Sequence, residues 1–145
     1  MIANKLKVYR DTYDLVKYLI PLVNKMPRIY KFTLGERIIT HALDQLNHIQ
    51  LANMQREKRQ IHLENFVVSF EMLKAMIRIS FESRAMQGLG QQAEIARRME
   101  LIGKQIAAWK NTDSKRHRGV IDGSEKAYNQ ECTSVYGRLH GIFLR

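Results

Sequence analysis

Cysteine is all but missing from this chain of 145 residues. Cys132 stands alone, so no internal disulfide can form, which fits a reducing compartment. Two prolines and eight glycines are few for a loop-rich or all-β protein. No apolar run reaches the roughly 18 residues that a membrane span needs. At the start, MIANKLKVYRDTYD breaks with charge any stretch that a signal peptide would keep apolar. The expectation is a soluble cytoplasmic protein, not a membrane one. Catalytic signatures are missing too: there is no Gly-rich phosphate loop, HExxH, CxxC or GxSxG. Cys132 has only His140 close behind it, and reads better as a core or partner-facing thiol than as a nucleophile. No catalytic residue and no cofactor is expected, so the chain reads as a non-enzyme.

Acidic residues are also scarce. Fourteen Asp and Glu face 24 Lys and Arg, for a net charge of +10. An excess of this size points to a polyanion, and nucleic acid is favoured over an anionic membrane surface. The bland alternative is a basic protein whose charge serves only solubility. Residues 1–60 hold 11 basic and 5 acidic side chains, so the first part of the chain carries +6 of the +10.

What is abundant favours helix: Leu, Ile, Met, Ala, Gln, Lys, Arg and Glu, with 45% hydrophobic residues to build a core. From about Thr12 to Met26, Leu15, Leu19, Leu22 and Met26 recur at helical spacing, with Val16, Ile20 and Val23 beside them. Pro21 inside this pattern predicts a kink, or a start of regular helix nearby. Pro27 then punctuates. The second helix starts either at Pro27 or at Thr33, with Glu36 closing a capping box. Leu34, Ile38, Ala42, Leu46 and Ile49 carry it onward, Gln45 breaks the seam, and QREKRQ (55–60) makes a polar joint.

FVVSFEMLKAMIRISF (66–81) is apolar at eleven of sixteen positions. Phe66, Phe70, Leu73, Ile77 and Phe81 form one stripe. Val68, Met72, Met76 and Ile79 form another. A helix apolar on two faces buries two faces, so the second stripe is expected to meet another copy of the chain. Gly88 and Gly90 suit a C-cap and turn. Ile95, Met99, Ile102, Ile106 and Trp109 define a fourth helix over about 91–110. The fold class is therefore all-α: an up-and-down four-helix bundle over 1–111, followed by a polar extension over 112–145. In that extension Tyr128, Cys132, Val135, Leu139 and Ile142 allow a short fifth helix.

Three groups of cations are candidate nucleic-acid contacts: Lys5, Lys7 and Arg10; Lys25, Arg28, Lys31 and Arg37; and Arg56, Lys58 and Arg59. The two turns bearing the last two groups fall at opposite ends of such a bundle. A ring of subunits would gather them into a belt of charge. Tyr30 and Phe32 either stack on unpaired bases or staple a helix start. His41, Asp44 and His48 lie near one helical face, but with His41 and His48 two turns apart and no fourth ligand evident they read as a solvated polar face, not a metal site.

A proline–arginine pair ending one helix, with YKFTLGERI opening the next, resembles the accessory variability determinant (Avd) proteins of diversity-generating retroelements. LVKYLIPLVNKMPRIYKFTLGERI, the apolar third helix and ARRMELIGKQIAAWKN keep the order of parts of that family, over roughly residues 12–111. The Avd proteins are similar in turn to the small bundles encoded in ribosomal-RNA intervening sequences. The resemblance implies a non-catalytic subunit: a basic, barrel-shaped homo-oligomer, with a pentamer favoured, that binds a reverse transcriptase and RNA or DNA. The alternative is an interaction scaffold of the intervening-sequence type with no direct role on nucleic acid.

Overall fold

The computed structural model describes the backbone of residues 3–118 and the side chains of 7–116. Four long helices dominate it: α1 (Ala3–Asn24), α2 (Glu36–Met54), α3 (Arg59–Glu82) and α4 (Leu89–Arg118). A single helical turn (Arg28–Tyr30) and a π-helical segment (Lys31–Gly35) lead into α2, and a 3₁₀ turn (Arg56–Lys58) leads into α3. Among the described residues there is no strand.

Each helix packs on its neighbours in sequence, and α4 closes back onto α1. The connections are short, so neighbours run antiparallel. Cross-bundle bonds agree: Asp11 near the start of α1 accepts from Gln105 late in α4 (2.7 Å). Val8, Leu15, Leu19, Val23 and Met26 of α1 meet Ile38, Ala42, Ile49 and Ala52 of α2, Leu63, Phe66, Phe70 and Leu73 of α3, and Ile95, Met99, Ile102 and Ile106 of α4 in one core. Burial of these side chains is the main force holding the bundle.

Several expectations are corrected. Helix α1 begins at Ala3, well before Thr12, because Val8 and Thr12 continue the buried stripe and Thr12 Oγ1 satisfies itself on the Val8 carbonyl (2.7 Å). Lys7 and Arg10 thus lie within the helix. Pro21 sits inside α1 and does not end it. Thr33 caps nothing. Its hydroxyl donates to the Ile29 carbonyl (2.8 Å) inside the π-helical segment, and Pro27 stands at the N-cap of the turn of helix before it. A Cβ on the buried Gly35 would fall 2.7 Å from Val23 Cγ1, so this glycine is what lets α1 and the entry to α2 close up. Gln45 fills the seam: it is fully buried and its amide donates to Ser69 Oγ (2.8 Å).

Gly88 and Gly90 do not cap α3, which ends at Glu82; Gly88 precedes α4 and Gly90 lies in it. The polar stretch after Trp109 stays helical to Arg118, pinned by the buried Asp113. The fifth-helix positions Tyr128, Cys132, Val135, Leu139 and Ile142 lie outside the described residues, as does His140.

Candidate nucleic-acid interface

The bundle has two ends. One carries the Lys25–Pro27 turn and the Ser83–Gly88 turn, which together line a single cavity. The other carries the start of α1, the Gln55–Lys58 turn and the end of α4. Lys25, Arg28, Lys31 and Arg37 collect at the first end. Lys7, Arg10, Arg56 and Lys58 fall at the second, where Lys7, with Lys104 and Arg116, lines a cavity of about 360 Å³. The structure therefore separates the clusters within one subunit. The side chain of Lys5 lies outside the described set, as does that of His117.

Pairing divides the cations sharply. Every ion pair among the described residues uses a cation of α3 or α4: Lys74–Glu71, Arg78–Glu82, Arg97 and Arg98 with Glu94, Lys104–Glu100, Lys110–Glu64 and Arg59–Asp113. The hydrogen bond from Arg97, with its charge and that of Arg98, holds the Glu94 carboxyl below its usual range. Most of these pairs follow from i,i+3 or i,i+4 spacing. Lys7, Arg10, Lys25, Arg28, Lys31, Arg37, Arg56 and Lys58 make no ion pair among the described residues, although Asp11 and Asp14 stand four residues after Lys7 and Arg10; Lys17, Lys115 and Arg116 are likewise outside the ion pairs. All but the half-buried Lys31 are exposed. Their charge stays available to a partner.

Arg59 does not belong with them. It is 3% exposed. Its Nε donates to the Ala52 carbonyl at the end of α2 (2.8 Å), and its guanidinium reaches Asp113 (3.4 Å) and stacks by Trp109 (5.6 Å). Gln60 donates to Asp113 (2.8 Å) and to the Lys110 carbonyl (3.0 Å). The physical reason is phase: Arg59 stands four residues before Leu63 and seven before Phe66, on the buried stripe of α3. That spacing is a signal the sequence held, and its charge obscured it.

Met76 is corrected likewise. At 6% exposure it belongs to the core, because it follows Leu73 by three residues on the buried stripe of α3. Met72 (38%) and Ile79 (50%) do face outward, and Val68 is half-buried. The outer stripe is completed by Ile61, Asn65 and Ala75, giving 61, 65, 68, 72, 75 and 79. The alternating spacing of four and three is that of a coiled-coil seam.

Tyr30 and Phe32 part company: Tyr30 packs on the core, whereas Phe32 is 56% exposed beside Lys31. His41 Nδ1 lies 3.1 Å from the Arg37 carbonyl. His48 is held below its usual pKa mainly by burial, with Asp44 opposing and His62 adding; burial, then Lys58, lowers His62. No group of three metal-ligating side chains occurs among the described residues. Sequence reasoning also missed Arg84, which stands just past the last turn of α3 with φ 64°.

Among the described residues no helix is long and apolar enough to cross a membrane. No curated protein matches the chain. A family model described as bAvd-like does match, over residues 1–112, which is the bundle through nearly all of its core. The chain therefore belongs to the bAvd-like family, that of the accessory variability determinant proteins of diversity-generating retroelements.

Proposed function

We propose that this protein is a non-catalytic accessory subunit that binds the retroelement's reverse transcriptase and its nucleic acid, template RNA or the DNA copied from it, in the cytoplasm. The observation that carries this reading is the set of unpaired cations: Lys7, Arg10, Lys25, Arg28, Lys31, Arg37, Arg56 and Lys58, on α1, α2 and the adjoining turns, make no ion pair among the described residues, whereas the cations of α3 and those of α4 from Arg97 to Lys110 are paired within the fold. Cations without partners are what a phosphate backbone recruits, and they bring affinity and salt dependence without sequence reading.

Self-association concentrates them. The outward seam of α3 supplies one apolar face. Tyr13 (49%) and Ile20 (41%) on α1 and Leu43 (49%) on α2 supply a second. Tyr13 and Ile20 lie away from Asp11 and Tyr18, the residues by which α1 meets Gln105 and Arg98 of α4. Two unlike faces on one subunit make a head-to-tail contact, which closes into a ring when the rotation allows. A homopentameric barrel is the assembly favoured here, with Val68, Met72 and Ile79 at its interfaces and a belt of cations at each rim.

The test is binding of single-stranded RNA and of duplex DNA across a salt series, with co-purification of the reverse transcriptase alongside. The reading expects affinity to fall steeply with salt. A flat response, or no binding at low salt, removes the electrostatic mechanism. The second reading, an intervening-sequence-type scaffold, draws on the α3 seam alone and needs no charge. It expects assembly with neither nucleic acid nor reverse transcriptase bound.

A further inference from the structure

The two turns at the Lys25 end enclose a cavity of about 420 Å³, within the size range of small-ligand sites. No carboxylate lines it. Lys25 and Arg84 bring charge, Gln87 and Gln91 bring amides, and Phe81 and Met86 bring apolar wall.

Arg84 is out of place by the rules of local structure. Its φ of 64° is the left-handed region, which glycine enters freely and other residues do not. The fold does need a left-handed residue there. The chain must turn back so that the Met86 N–H reaches the Ser80 carbonyl (2.9 Å) and Ala85 and Met86 are buried. Glycine would serve that turn better, and the chain uses glycine four residues later: Gly88 has φ 115°, and a Cβ there would stand 2.0 Å from Gln91 Oε1. What Arg84 adds over glycine is a cationic side chain on a residue that lines the same cavity as Lys25. Backbone strain retained where it positions a charge is a mark of a binding site.

From these observations we infer that the cavity binds one unpaired nucleotide. Its phosphate lies between Lys25 and Arg84, its base lies against the partly exposed Phe81, and the Gln87 and Gln91 amides meet the base edge. The amides donate and accept, so they suit any base. An aromatic wall at the back of a concave site suits a base free of a duplex. This inference rests on the nucleic-acid reading above and sharpens it to a place. A free nucleotide and one carried in a strand share this chemistry.

The experiment uses the full chain, AMP, and a ten-residue oligoribonucleotide containing 4-thiouridine. Photo-crosslinks are mapped by mass spectrometry, and equilibrium binding is measured for the wild type, for Arg84→Gly, and for Arg56→Gln/Lys58→Gln at the opposite end. The crosslinks are expected at Phe81. Arg84→Gly is expected to melt no lower than the wild type, because glycine relieves the left-handed position, yet to bind about tenfold more weakly through loss of a charge-assisted bond. The opposite-end variant keeps the crosslinks. Comparable affinity for AMP and the oligonucleotide assigns the cavity to a free nucleotide; affinity for the oligonucleotide alone assigns it to a strand. If the oligonucleotide binds with steep salt dependence but Arg84→Gly binds as tightly as the wild type, the cavity is not the site and the nucleic-acid reading stands. If the wild type binds no oligonucleotide at low salt, that reading itself fails, and the strand-borne nucleotide fails with it.

Discussion

Replacing Asp113 by alanine removes the acidic half of the tie that joins α2, α3 and α4. Both partners are deeply buried, with side-chain exposures of 4% for Arg59 and 5% for Asp113. Breaking a buried pair from one side costs about 3–5 kcal/mol, because the remaining charge is left without compensation. Here the figure falls at the low end. The Arg59–Asp113 pair is long at 3.4 Å, and Arg59 keeps the Ala52 carbonyl. Against that, Gln60 loses its shorter bond to the same carboxylate (2.8 Å) and keeps only the Lys110 carbonyl. The expectation is a loss of about 3 kcal/mol, or roughly 10 °C in Tm for a bundle of this size. Urea denaturation followed by circular dichroism measures it. The pair Arg59→Met with Asp113→Leu should recover much of the loss, since an apolar replacement leaves no buried charge. A loss below about 1 kcal/mol for Asp113→Ala, or additivity of the two changes within about 0.5 kcal/mol, would refute the role of Arg59 as a buried strut.

Three further expectations concern other parts of the molecule. Met72→Lys with Ile79→Lys puts charge into the α3 seam without touching the core. Light scattering should then report dissociation to the 17.0 kDa chain while circular dichroism stays helical. Arg28→Gln with Arg37→Gln should reduce the slope of log affinity against log salt by about one for each phosphate no longer neutralised, and Arg78→Gln, whose partner is Glu82, should leave it unchanged. His48 and His62 are both held below their ordinary pKa. The unfolded chain therefore takes up protons first, and stability, full above about pH 6.5, falls as pH drops through the interval down to the folded values. Melting temperatures across that interval should show the fall in the wild type and a smaller one in His48→Gln.

The bundle is legible in the sequence because four apolar stripes repeat at helical period and the breaks between them are short. The misplaced residues share a cause: local chemistry speaks louder than the phase of the neighbouring turns. Arg59 looks like surface because it is charged and sits in QREKRQ, yet it continues the Leu63–Phe66–Phe70 stripe. Met76 resembles Met72 and Ile79 in kind, although three residues after Leu73 turn it inward. The charged start of α1 and the polar end of α4 both read as non-helical. Each is held by a partner far away in the chain, Asp11 by Gln105 and Asp113 by Gln60, and no window of sequence displays such a bond. Arg84 is invisible for another reason, since its significance lies in a dihedral angle and in the cavity whose lining it shares with Lys25. The cation clusters of the two turns are legible as charge. That they make no ion pair becomes visible only in the packed bundle, where the paired acids all belong to α3 and α4 and are held by cations of the same two helices.

Assembly of this chain through the α3 seam, which would gather the unpaired cations of several copies, is tested most directly by native mass spectrometry at micromolar concentration. The expected result is a particle of five chains, each of 17.0 kDa. A single 17.0 kDa species with no higher assembly would contradict it.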